Sequence, residues 1–504
     1  MGQSIDRTTF TDADRRRFAE RLDDSLEALG ALLARPGFGA GNAMLGAELE
    51  LCIVDDRWRA APIAERLRER ADDGRLTLEI NRYDIEANLT PGPLAGRPFD
   101  RLEREMLEML ELLGARAAEL GAHVVPVGIL PTLRPRDLTR DMITPDARYD
   151  ALTRELRERR GEKFHIRIAG RESLSVRTDS VAPEGACTSL QLHYRAHPDR
   201  FVDVFNAVQL VTPLLVGVAA NSPFLLGREL WHETRIALFR QSIDGRDRER
   251  RALKLPARVH LGHGWLRRSA FEAFAETVRL YEPLLPLCGE ENPLEALGDG
   301  RLPALEELSL QMGTVWPWNR VIYDPAEEGH VRVELRALPA GPSPRDMSAN
   351  ATLAIGLVEG LLERVESLVT ALPHALLVQN LVSAAREGLG ARLLWPSRRT
   401  LALEERPLVD IVAELLPEAR DGLAVAGIET PDVERGLGDV EARIERGTSG
   451  AAWQIGAIER LQRGGLSRQQ ALPAMLSRYA ALALANEPLA SWPDDPGEVE
   501  PHDA

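Results

Sequence analysis

The chain is poor in cysteine, in basic surplus and in long apolar runs, and each shortage excludes something. Its 504 residues include three cysteines, Cys52, Cys187 and Cys288. They are odd in number and widely spaced, so neither a disulfide framework nor a zinc knuckle fits, and a reducing cytoplasm is the expected compartment. Acidic residues outnumber basic ones, 78 to 62, for a net charge of −16. With no basic patch or tail, nucleic acid is not an expected partner. Met1 to Asp14 are polar and lack the basic-then-apolar pattern of a secretory signal. The longest apolar stretch, Val208 to Ala220, is interrupted by Gln209, Thr212 and Pro213. It reads as too short to span a bilayer, so no membrane anchor is expected. Internal repeats and low-complexity tracts are absent. Gly37, Gly39 and Gly41 form a G-x-G-x-G, but ahead of a strand. A dinucleotide fingerprint needs its glycines after a strand and opening a helix, so a loop bordering a site is the better expectation.

Apolar residues make up 44% and charged residues 28%, as in ordinary globular proteins. The length exceeds one small core. The sequence divides into a catalytic-sized unit over 1–385, a helical extension over 386–490 and a disordered, Pro- and acid-rich tail over 491–504. Helical spacing marks Arg15 to Leu33, Arg101 to Leu120, Phe201 to Ala220 and a long apolar helix from Ala349 to Leu372. Alternation marks strands at Leu45 to Ile53, Thr188 to Tyr194 and Val331 to Leu335, with a strand pair or one bent strand over Leu76 to Leu89. His123 to Ile129 and Val259 to Trp265 are further strand candidates. His165 to Ile168 and Leu174 to Arg177 form a hairpin. The mixture predicts an α+β fold with a mostly antiparallel sheet, helices on one face and a polar opposite face.

That polar face carries the chemistry. Glu48 and Glu50 share one side of the first strand, about 7 Å apart at a rise of ~3.3 Å per residue. Asp84, Glu86 and Asn88 lie opposite Ile85 and Ala87. Gln191 and His193 lie opposite Leu190 and Leu192. Arg332, Glu334 and Arg336 lie opposite Val331, Val333 and Leu335. A merely solvated face would be rich in Lys, Thr and Ser, and these faces hold few. Converging carboxylates repel unless neutralised. Mg²⁺, or Mn²⁺ if His193 is a ligand, does that. Arg336 beside Glu334 suits phosphate oxygens.

These segments resemble the glutamate–cysteine ligase-like carboxylate–amine ligases, which share the glutamine-synthetase-like catalytic fold. The resemblance rests on Leu45-Gly46-Ala47-Glu48-Leu49-Glu50, on Glu79-Ile80-Asn81 through Asp84 to Pro91, and on Thr188 to His193. Ala219 to Phe224, Trp316 to Arg320 and Arg332 to Pro342 add to it. It implies a cup-shaped antiparallel sheet, ATP and two or three divalent ions. It places metal ligands at Glu48, Glu50, Glu86, His193 and Glu334, and catalytic, phosphate-contacting arginines at Arg336 and Arg320. Arg235, Arg320, Arg336 and Gln191 would contact the nucleotide. The activity implied is ATP-dependent amide formation through an acyl phosphate, with glutamate as the acid and cysteine or another amine as acceptor. The substrates would be small molecules, and a homo-oligomer remains open. A metal-dependent amide hydrolase and a non-catalytic nucleotide-binding relative are the rivals, although the intact set weighs against decay.

Other residues are read less specifically. Arg235 and Arg240 sit on a helix, either toward a phosphate or toward solvent. Trp316 and Trp318 could wall a pocket that fixes Arg320. Arg167 and Arg177 read as surface arginines. His260 and His263 fall on opposite strand faces by alternation, which separates them. Cys52 reads as a small buried hydrophobe. Trp453 and Gln454 could dock the C-terminal part on the first unit.

Overall fold

A computed structural model describes Ile5 and residues 7–494. In chain order its strands begin with β1 (Met44–Asp55), β2 (Leu76–Leu78), β3 (Asp84–Pro93), β4 (Ala122–Val125), β5 (Phe164–Ala169), β6 (Ser173–Thr178) and β7 (Leu190–Arg195). They continue with β8 (Phe224–Leu225), β9 (Arg228–Glu229), β10 (Val259–His260), β11 (Trp316–Pro317), β12 (Asn319–Asp324), β13 (His330–Leu335), β14 (Arg392–Pro396) and β15 (Leu403–Pro407). The main sheet runs β12-β13-β7-β1-β3-β2, with β4 also paired to β1, and every pairing in it is antiparallel. The α+β reading with a mostly antiparallel sheet therefore holds.

Local chemistry sets the helix ends. Thr11 caps the helix Asp12–Leu33, exchanging hydrogen bonds with Asp14 in a capping box. Pro98 opens Pro98–Ala118, and Ser343 caps Pro344–Leu361. The expected helix from Ala349 is thus longer at its start and breaks after Leu361. Its C-terminal part is a separate helix, Val365–Ala371. Alternation sends Leu190, Leu192 and Tyr194 to the face opposite Gln191 and His193. There the Tyr194 hydroxyl donates to Glu359 of helix Pro344–Leu361 at 2.6 Å. One sheet face is therefore sealed by helices. The other forms the floor of a cleft.

Two expectations need correction. Phe201–Ala219 belongs to a helical stretch, Pro198–Ala219, that by length and composition could cross a membrane, contrary to the reading of Val208 to Ala220 as too short; 89% of it is buried inside the fold. The Val259 to Trp265 strand stops at His260, because Gly262 turns the chain at a φ of +105°. His263 then folds back and stacks on His260 at a ring separation of 4.5 Å, so the two histidines are neighbours.

Beyond residue 390 the chain forms the hairpin β14–β15 and then four helices, Leu408–Val425, Thr430–Arg446, Gly450–Arg463 and Arg468–Leu484. They close over the same core. Gln454 donates to the side-chain and backbone oxygens of Asn221, as expected of a docking residue. Trp453 packs edge-on against Trp492, which is itself buried against Tyr479. The expected tail begins inside this contact, and from 495 on it lies outside the described residues.

Candidate active site

The cleft has a volume of about 790 Å³. Strand register builds its floor. Glu50 lies opposite Glu86 across β1–β3, Glu48 opposite Gln191 across β1–β7, His193 opposite Glu334 across β7–β13, and Glu334 opposite Arg320 across β13–β12. Four distant segments thus present their polar faces side by side. The five residues expected as metal ligands, joined by Glu79, fall into two groups within each of which the ligand atoms lie within 4.8 Å of one another: Glu48, His193 and Glu334, and Glu50, Glu79 and Glu86.

The first group is largely balanced. Glu334 is fully buried. It accepts from Arg320 Nε at 2.5 Å and Nη2 at 2.9 Å, and from Arg336 Nη1 at 2.6 Å. Burial opposes its ionisation, but the two guanidinium groups win and hold its carboxyl far below the usual range. His193 Nε2 sits 3.0 Å from Glu48 Oε1. Burial raises the Glu48 carboxyl, yet the hydrogen bond and charge of His193 leave it lowered overall. His193 Nδ1 accepts from Arg332 Nε at 3.1 Å. That bond places the ring proton on Nε2, facing Glu48. A cation here would have to share Glu334 with Arg320 and Arg336, and Glu48 with His193.

The second group is unbalanced. Ser189 N, Ser189 Oγ and Gln191 Nε2 donate to Glu50 at 2.7, 3.0 and 2.8 Å. Thr77 Oγ1 and Asn88 Nδ2 donate to Glu86 at 2.7 and 2.9 Å. These are neutral donors. Burial and the Glu86 charge push the Glu50 carboxyl up to about 7. Burial and the neighbouring carboxylates raise Glu79 well above its ordinary value, and burial and Glu48 raise Glu86. Three all-oxygen carboxylates fit a hard divalent ion.

Glu79 was not singled out as a ligand by strand parity. It follows β2 in an irregular turn, and only the motif context around Glu79-Ile80-Asn81 pointed to it. Arg336 Nη1 also donates to Gln191 Oε1 at 2.6 Å, linking the two groups. Trp316 and Trp318 do wall the cleft beside Arg320. Arg235 is neither solvated nor free to reach outward. Its guanidinium is buried, with Nε on Glu233 at 3.0 Å, Nη1 on the Arg336 carbonyl and Nη2 on the Ala337 carbonyl. It braces the strand that carries Arg336. Arg240, Arg167 and Arg177 are exposed, and none of them lines the cleft. Cys52 is buried.

A third cluster, His260, His263 and Glu276, lies behind β11. His260 Nδ1 accepts from Gly262 N at 2.8 Å, so its unpartnered Nε2 carries the proton. His263 Nε2 bonds the Tyr281 hydroxyl at 2.7 Å. Metal-binding histidines normally donate from the nitrogen that does not ligate. His260 accepts there instead, and the cluster lacks that signature.

An antiparallel sheet holding two carboxylate groups under a cleft defines a class of fold shared with amide-forming ligases. A glutamate–cysteine ligase from Francisella tularensis, solved in complex with AMP, has this fold at a TM-score of 0.54 and 12% identity. The match covers 88% of this chain and 93% of that one. Residues 44–266, a little under half of the chain, match the model of glutamate-cysteine ligase family 2, GCS2. That segment carries β1 to β10 and confirms the resemblance read from the motifs. Two curated relatives share the name "Putative glutamate--cysteine ligase 2-1". The Rubrobacter xylanophilus protein is 28% identical over 207 residues, covering 40% of this chain and only about half, 48%, of its own length. The Frankia alni protein is 24% identical over 445 residues, covering 86% of this chain and 94% of its own length.

Proposed function

We propose that the protein is an ATP- and Mg²⁺-dependent carboxylate–amine ligase that activates a small carboxylic acid, glutamate first, as an acyl phosphate and passes it to an amine. The observation that carries this reading is the unbalanced trio Glu50, Glu79 and Glu86 beside the Glu334–Arg320–Arg336 cluster on one sheet face. Glu50, Glu79 and Glu86 would hold one divalent ion, and Glu48 and Glu334, with His193, a second. Bound there, the ions would screen the repulsion between a substrate carboxylate and the γ-phosphate.

The chain's own groups do the rest. Arg336 and Arg320, aimed by their hydrogen bonds to Glu334, present fixed N–H donors to phosphate oxygens. Gln191, fixed between Glu50 and Arg336, keeps the carboxylate floor in register. Phosphoryl transfer needs positioning and charge neutralisation rather than a protein nucleophile, which agrees with a chain lacking a nucleophile motif. With ATP, Mg²⁺, glutamate and an amine panel, the expected products are ADP and phosphate, dependent on both acid and amine. AMP and pyrophosphate would exclude the acyl-phosphate route, and amide cleavage without nucleotide would favour a hydrolase.

A further inference from the structure

The cleft has two unlike walls. Besides the carboxylates, the cleft is lined by Phe239, Phe274, Trp316, Trp318, Leu152 and Met312. Trp316 and Trp318 are pinned by backbone bonds from their N–H groups to the carbonyls of Arg258 and His260, both 2.8 Å. Phe239 packs against Trp318 at 5.5 Å. The Arg235 guanidinium already lies 5.8 Å over the Trp318 ring. That π-face therefore has its cation, and a second positive charge would be repelled.

Glu184 is on a single helical turn, Ala182–Gly185, which packs against the helix Thr234–Ser242 that carries Phe239. Gly185 lets that turn press against Asn81 and Ile80, where a Cβ would clash. Glu184 lines the cleft, is 7% exposed, and among the described residues its Oε2 has no hydrogen-bond partner. Burial and the Glu50 charge push its carboxyl up to about 8, against the pull of Arg336. It stands outside both candidate ion groups. A buried carboxylate with an idle oxygen is completed by a donor-rich cation.

We propose that Glu184 and the aromatic wall form the acceptor subsite, and that the acceptor is a primary amine with an apolar body, its ammonium on Glu184 and its body against Phe239 and Trp318. This rests on the ligase reading above. The arriving ammonium charge favours the ionised form of Glu184, and the ammonium gives one proton to that carboxylate. The freed nitrogen lone pair forms the C–N bond at the acyl-phosphate carbonyl. The C–O bond to phosphate breaks with its electron pair on the departing oxygen, and the second nitrogen proton goes to that phosphate. Glu184 returns its proton to solvent.

The test uses the full chain with ATP, Mg²⁺ and glutamate, and compares 2-phenylethylamine, isobutylamine, cysteine, putrescine and hydroxylamine. The apolar amines are expected to exceed cysteine and putrescine in kcat/KM by at least about tenfold. Trp318→Ala, or the milder Phe239→Leu, should erase that preference. Glu184→Gln should raise the amine KM and lower amine turnover relative to hydroxylamine, which enters neutral, by about tenfold or more. Hydroxamate formation with cysteine or putrescine preferred would overturn the apolar-amine subsite and leave the ligase reading standing. A raised Mg²⁺ requirement in Glu184→Gln would make Glu184 an ion ligand and overturn its role. Absence of hydroxamate and of all amine turnover would overturn both.

Discussion

Buried carboxylates occur in two regions of this molecule, and they are treated oppositely. In the helical layer Asp346 is fully buried and burial raises its carboxyl, but an arginine and three donated hydrogen bonds pull the other way. Ser343 Oγ donates to it at 2.7 Å, Leu489 N at 3.1 and 3.2 Å, and Arg443 lies 3.9 Å away while bonding Asn350 at 2.8 Å. Nearby, Arg345 grips Asp439 with two bonds of 2.7 and 3.0 Å. In the cleft, Glu50, Glu79 and Glu86 crowd together, and the hydrogen bonds that the described residues give Glu50 and Glu86 come from neutral donors, with Arg336 acting on Glu50 through space. Folding selects the first arrangement. The second is the arrangement that the divalent ion proposed above would complete.

That contrast can be broken in several ways. The largest effect should come from Arg443→Met, which strands Asp346. Denaturant unfolding should show a loss of about 3–5 kcal/mol, with ligand binding per folded molecule unchanged. A loss below 1 kcal/mol would mean that the layer does not depend on its internal pairing. Glu50→Gln should do the reverse. Turnover is expected to fall at least about 100-fold with the circular dichroism of the fold retained, and retained turnover would remove the trio from the chemistry. Glu334→Gln is a less clean variant, since it unpairs Arg320 and Arg336 as well.

A smaller effect concerns Mg²⁺ itself. Added to protein stripped with chelator, it should raise the unfolding midpoint by at least about 2 °C, and Glu50→Gln should lose that shift. The smallest effect is a pH slope. Glu184 has its carboxyl raised to about 8. Its folded form therefore binds a proton that the unfolded chain releases at ordinary carboxyl pH, and its stability contribution is present at acid pH and lost as pH rises through 8. Comparing the metal-free protein with Glu184→Gln between pH 5 and 9 should show a steeper fall in the parent. A parallel pair of curves would place Glu184 in a wetter setting.

Much of this was visible beforehand, where the backbone is regular. Period-two alternation puts Glu48, Glu50, Glu86, His193, Glu334 and Arg336 on polar strand faces, and all of them line the cleft except Glu334, which is buried under Arg320 and Arg336. Glu79 and Glu184 escaped because they sit on an irregular turn and a single helical turn, where no period marks a face. His260 and His263 were separated by extending a strand past Gly262, where the chain turns. Arg235 was read as reaching outward because sequence does not say which carbonyls a guanidinium meets.

Local order along the chain determined the strands, the caps and the polarity of each face, since those depend on neighbours within a few residues. Which carboxylates share an ion-sized space, and which find an arginine, was settled only when β1, β3, β7 and β13 came into register. Electrostatic partnership falls off over a few ångströms and ignores distance along the chain, so only the folded sheet could assign the balanced and the unbalanced acids.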